Sequence, residues 1–156
     1  MITRVRRRPS LLVVVGVVVV VLVVSAGLAR VYSSVSAERS GVTALVEAEA
    51  RGDTTTMLDD LYRCRASAAC RARVAADAAS LHRAGRIAVL ELTVSSSFPL
   101  GGNVGTARIA WQAPNTLPVT QCVRVRHAGN PITGFHVQLL EISVRIKTNG
   151  DCPRTF

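Results

Sequence analysis

The residues able to do chemistry are few and poorly spaced for it. Asp77 and His82 fall five apart within one helical stretch, so they do not share a face. Asp77 stands among Ala and Arg, and the plainer reading makes it a solvated carboxylate. Asp59 and Asp60 are adjacent, about 100° apart around a helix, and make a poor acid and base pair. His127 and His136 flank a hairpin whose register could bring them together, yet no third ligand accompanies them, so no metal site is assigned. Their plainer reading is exposed strand ends. The stretch Gly101-Gly102-Asn103-Val104-Gly105 joins two strands and opens no helix, so it lacks the N-terminus a phosphate cradle needs. No G-x-S-x-G, H-E-x-x-H or P-loop pattern occurs. No catalytic residue and no cofactor is expected.

Arg63, Arg65, Arg71 and Arg73 crowd around Cys64 and Cys70 and could hold an anion such as a lipid headgroup or wall polymer. A solvated helix end, where cationic side chains favour the C-terminal dipole of the second helix, is the plainer explanation. Arginine supplies all but one of the 19 basic residues, the exception being Lys147. Beside the abundance of Ala and Val, this is the signature of GC-rich coding and weakens any argument from arginine number alone.

The elements that carry these residues start with residues 11–29, an uncharged run containing ten Val and three Leu between Leu11 and Val24. As a helix it spans roughly 28 Å, the thickness of a hydrocarbon core, and its insertion is favourable by roughly 4 to 8 kcal/mol. Arg4, Arg6, Arg7 and Arg8 precede it and hold the N-terminus on the cytoplasmic side, which sends everything after Ala29 across the membrane. Val24-Ser25-Ala26 and Gly27-Leu28-Ala29 resemble signal-peptide cleavage sites, but the apolar run exceeds the usual signal core, and an uncleaved anchor is the reading adopted.

The four tail arginines account for four of the nine net charges, leaving +5 on the remainder, too mild for a nucleic-acid binder despite a pI near 10.9. The chain therefore divides into a basic tail (1–10), a transmembrane helix (11–29), a linker or helix extension (30–41) and an extracytoplasmic domain (42–156). Four cysteines, all beyond the span, imply two disulfides in an oxidising space. Three pairings are open on paper; chain geometry favours Cys64 with Cys70 and Cys122 with Cys152.

Within the domain, Val42, Leu45 and Val46 form one helical stripe that Gly52 stops, Asp53 caps a second helix carrying Met57, Leu58, Leu61 and Tyr62, and Ser67 caps a third with Val74, Ala78 and Leu81. From Arg86 the period falls to two, predicting strands at 86–96, 104–112, 118–127 and 135–147 joined by short turns, hence antiparallel neighbours. The expected architecture is α+β: three helices followed by a four-stranded antiparallel meander. Alternation aims Leu90, Leu92, Val94, Ile109, Trp111, Val123, Val125, Leu140, Ile142, Val144 and Ile146 at the helices. The opposite face receives Arg108, Arg124, Arg126 and Arg145, with Glu91 and Glu141 among them and Val89, Phe135, Val137 and Leu139 nearby. This mixture has the composition of a contact surface, and Arg108, Arg124, Arg126, Arg145 and Phe135 form the candidate interaction face; an ordinary solvated face with weak cross-strand Arg and Glu pairs explains it equally well.

The run Val46 to Asp53 (V-E-A-E-A-R-G-D) and the strand Gly105 to Trp111 resemble, over about residues 40–147, the cystatin-like roll of the nuclear transport factor two-like superfamily. The resemblance implies helices packed into a curved antiparallel sheet and, for the enzymes of that superfamily, a buried Asp or His acting in the hollow between them. It also implies a setting behind single spanning helices in the envelopes of GC-rich Gram-positive bacteria and pairing of subunits through the outer sheet face. The expected function is a membrane-anchored, non-catalytic interaction module that forms a homodimer or binds an envelope protein. The alternative is a small-ligand binding protein or enzyme using the hollow.

Overall fold

A computed structural model describes residues 11–95, 104–130, 134–147 and 150–156. Residues 1–10, 96–103, 131–133 and 148–149 lie outside them, and with them the basic tail, the separator expected at 98–103 and the side chain of Phe135. The first helix, α1 (Leu11–Arg51), is unbroken, so residues 30–41 are a helix extension and not a linker. It is long and apolar enough to cross a membrane near the N-terminus, and the described side chains of its apolar run, Val13 to Ala29, are all exposed. Its buried stripe begins earlier than the apolar pattern suggests. Ser34 and Glu38 are buried about two turns and one turn ahead of Val42, and being polar they are invisible to a hydrophobic period.

Gly52 ends α1 in the left-handed region at φ 71°, with its N–H donating to the Glu49 carbonyl and the Asp53 N–H to that of Ala48. That double closure is a Schellman cap, which glycine forms without strain. Asp53 then caps α2 (Thr54–Asp60) by accepting from the Thr56 N–H, and Ser67 caps α3 (Ala68–Leu81) by accepting from the Cys70 N–H. A 3₁₀ turn, Cys64–Ala66, separates them. Cys64 and Cys70 lie 5.3 Å apart at Cα and are disulfide-bonded, as are Cys122 and Cys152 at 5.8 Å.

Strands β1 (Ala88–Thr93), β2 (Val104–Gln112), β3 (Val119–Asn130) and β4 (Gly134–Ile142) form one antiparallel sheet in sequence order. Trp111, Ile109, Val123, Val125 and Ile142 face the helices and pack with Leu45, Val46, Met57, Leu61 and Val74 into the core.

Two β-bulges break the expected alternation. In β1 the pairing passes from Val89 opposite Trp111 to Glu91 opposite Ala110, leaving Leu90 over. Leu90 is accordingly 54% exposed, while Val89 shares the helix-facing side with Trp111. In β4 the pairing passes from Leu139 opposite Val125 to Glu141 opposite Arg124, leaving Leu140 over. Leu139 and Val137 consequently turn inward, and Leu140 turns out beside Arg124 and Arg126. Val144 lies beyond β4 and is exposed, while Ile146 returns to the sheet through a bridge to Thr120.

Candidate functional site

Helix α1 lies along β3 and runs against it, with Glu38 beside His127 and Glu49 beside Gln121. Two buried polar clusters mark these ends.

At the first, the Glu38 carboxylate accepts from the Ser95 N–H at 2.7 Å and from the Ser95 hydroxyl at 3.1 Å, and meets His127 Nε2 at 3.0 Å. The Ser95 hydroxyl is also 3.2 Å from that nitrogen. Serine, histidine and carboxylate together suggest nucleophilic catalysis, but the geometry refuses it. In an acyl-transfer triad the acid and the serine hold opposite nitrogens of the ring. Here both hold Nε2, and Nδ1 has no hydrogen-bond partner among the described residues. The cluster ties α1 to the residues just past β1 and to β3. His127 is therefore a buried residue and not an exposed strand end.

At the second, the Trp111 indole N–H donates to Gln121 Oε1 at 3.0 Å, and the Gln121 amide donates to Glu49 at 2.8 Å and to the Ser143 carbonyl at 3.2 Å. Burial pushes the Glu49 carboxyl up to about 8; the Gln121 hydrogen bond works against this and the nearby Asp77 adds to it. Asp77 is itself 3% exposed and pushed by burial up to about 6, with Arg73 opposing, so it is not the solvated carboxylate expected. Glu49 Oε2 and Asp77 Oδ2 lack hydrogen-bond partners among the described residues. Two carboxyls raised by different amounts could act as acid and base. Glu49 has no exposed surface, however, and Trp111, Leu45, Met57 and Ile109 fill the space around the network. Sequence reasoning missed Glu38, Ser95, Glu49 and Gln121. The signal for Gln121 and His127 was present, since both continue the inward alternation of Val123 and Val125.

The histidines do not converge. His127 pairs with Val137 and faces inward, whereas His136 pairs with Ala128 and is exposed. His82 is exposed beside Gly52. Among the described residues no group of three or more His, Cys, Asp or Glu could hold a metal. Gly105 lies within β2 opposite Val125, which places the described end of the glycine-rich stretch in the sheet. Of the arginines near the short disulfide, Arg65 binds Asp59 at 2.6 Å, Arg71 donates to the Arg65 carbonyl, and Arg63 covers the Tyr62 ring.

The outer sheet face is partly covered by the chain itself. The Cys122–Cys152 bond draws residues 150–156 back over β3, where Thr120 and Cys122 are buried although they point away from the helices. Arg124 donates to Glu141 at 3.0 Å and to the Arg154 carbonyl at 2.7 Å, and sits 4.9 Å from the centre of the Phe156 ring. Arg124 is thus a docking post for the C-terminus. Arg145 donates to the Pro118 carbonyl, and Arg108 lies opposite Cys122. Arg126 makes no hydrogen bond or ion pair among the described residues; it borders an open concavity of about 680 Å³ with Tyr62, Thr106 and Leu140. Phe135 pairs through its backbone with Gly129. No protein-family model, curated protein or solved structure matches the chain.

Proposed function

We propose that this chain is a membrane-anchored, extracytoplasmic, non-catalytic interaction module of the bacterial cell envelope, with its N-terminus in the cytoplasm and a cystatin-like roll outside. The observation that carries this reading is the filled interior. A ligand site needs an open pocket with converging polar groups, and the space between helices and sheet holds Trp111, Leu45, Met57, Leu61, Ile109 and Ile142, each less than 2% exposed. The buried Glu49 and Asp77 favour the second reading, an enzyme or small-ligand carrier working in the hollow, but they are sealed from solvent.

The unbroken α1 supports a rigid mounting. Ser34, already buried in the domain, follows Ala29 by roughly 8 Å of helix, so the domain sits against the membrane surface. Two copies anchored side by side can pack their outer faces about an axis along α1, which keeps both spanning segments in one bilayer.

Reporter fusions should place the C-terminus outside the cell, and the mature protein should keep its full length. A cytoplasmic C-terminus would overturn the topology, and a mature start at Gly27 or Arg30 would convert the anchor into a signal peptide. Copurification of the intact protein from its native membrane should yield a second copy or one stoichiometric envelope protein. Arg126→Glu should weaken that capture while shifting the melting temperature little, because Arg126 has no internal partner; Arg124→Glu should destabilise by about 1 to 2 kcal/mol through loss of the tail contacts. A bound small molecule recovered in place of a protein would favour the carrier reading.

A further inference from the structure

We infer that the open edge of β1 accepts an extended segment of a different polypeptide, added as a fifth strand whose charges run opposite to Arg86 and Glu91. The inference rests on the interaction-module reading and names the surface and the class of partner. Among the described residues, β1 pairs only with β2, and no backbone group of Ala88–Thr93 hydrogen-bonds outside that pair. The opposite edge is closed in a way β1 is not. There Leu61 forms a parallel bridge to Leu139, and the Tyr62 N–H donates to the Leu139 carbonyl at 2.7 Å. Five of the six β1 residues are exposed, with Val89 at 38% and Leu90 at 54%. Outward-pointing N–H and C=O groups beside exposed apolar side chains form a template for another strand.

A second copy of this chain does not fit that template. Antiparallel pairing of β1 with itself places a two-fold axis normal to the sheet. Helix α1 lies along the sheet and runs against β3, from His127 toward Gln121, so this axis reverses it. The two apolar runs would then leave from opposite ends of the dimer and could not enter one membrane in the same orientation. Antiparallel self-pairing is thereby excluded for chains anchored side by side, and the occupant inferred is a segment of another protein.

Charge sets its chemistry. Arg86 precedes β1, is exposed, and has no hydrogen bond or ion pair among the described residues; Glu91 stands five residues on. An antiparallel partner strand therefore carries an acidic residue beside Arg86 and a basic one beside Glu91, with β-branched residues between. Next to Arg86 a groove of about 530 Å³, walled by Glu47, Ala50 and Arg51 of α1 and by Ile87, receives the first inward side chain. The bulge at Leu90 and the two charges discourage indiscriminate stacking, which leaves charge pattern as the selective element.

The full-length chain in detergent micelles is mixed with a short synthetic peptide of alternating Val and Thr that bears Glu at the end meeting Arg86 and Lys at the other. Amide hydrogen exchange should show protection confined to Ala88–Thr93. The charge-inverted peptide should bind about fivefold or more weakly, and a peptide with a central proline should not protect. In the doubly swapped variant Arg86→Glu, Glu91→Arg the preference should invert. Absence of protection by any strand peptide, protection elsewhere, or indifference to the charge swap would overturn the proposal. In native membranes, a photoreactive phenylalanine in place of Leu90 should crosslink a partner. A partner crosslinked only from position 126 defeats the edge proposal and leaves the module reading standing, while crosslinks from neither position count against both.

Discussion

Glu49→Gln is expected to raise stability at neutral and mildly alkaline pH and to flatten its dependence on pH. In the folded chain the Glu49 carboxyl keeps its proton up to about 8, whereas in the unfolded chain it loses it near the ordinary value of 4.5. Between those limits the folded state binds more protons, so stability is greatest at the acid end, falls as pH rises and levels off above 8. The fall attributable to Glu49 is about 4 to 5 kcal/mol at most. Asp77, pushed up to about 6, adds a smaller decline in the same direction that is complete by that pH. Glutamine retains the oxygen that accepts from Gln121 and has no charge to bury, so the Glu49 part of the slope disappears. Denaturant titrations of the full chain in micelles between pH 5 and 9 measure the effect. Parallel pH profiles for the two proteins would show that Glu49 does not ionise as its burial requires.

Replacing Cys122 and Cys152 together by serine is expected to cost about 3.5 kcal/mol, from the loop of 30 residues that the bond closes in the unfolded chain. For a domain of this size that lowers the melting temperature by roughly 10 to 15 °C. Removing the Cys64–Cys70 bond, with its separation of 6, should cost less, about 2.4 kcal/mol. The longer bond has a second consequence because it secures the tail over Arg124. Without it the contacts of Arg124 with the Arg154 carbonyl and Phe156 loosen, and the arginine face becomes more accessible. Phe156→Ala should cost only about 1 kcal/mol, since the covalent tie remains. A double serine variant melting within two or so degrees of the parent would show that the tail contributes little.

The sequence by itself determined the features that short-range chemistry decides. An uncharged run of Val and Leu must be a helix in lipid, whatever follows it. Gly52, Asp53 and Ser67 act through backbone groups within a few residues of themselves, and their caps form as expected. The disulfide partners and the strand order of the meander were legible for a related reason: short turns leave antiparallel neighbours little choice. Tertiary structure decided what depends on distant partners. Which side Leu90 and Leu140 face follows from bulges created by pairing with β2 and β3, and a period of two read along one strand cannot register an extra residue opposite another. Whether Glu38 and Glu49 are buried depends on finding Ser95 and Gln121, which lie 57 and 72 residues away. A carboxyl enters a core only where burial is offset by hydrogen bonds or by keeping its proton. The same holds for Arg124: nothing near it in sequence foretells Phe156, and only the folded tail turned an exposed cation into a docking post.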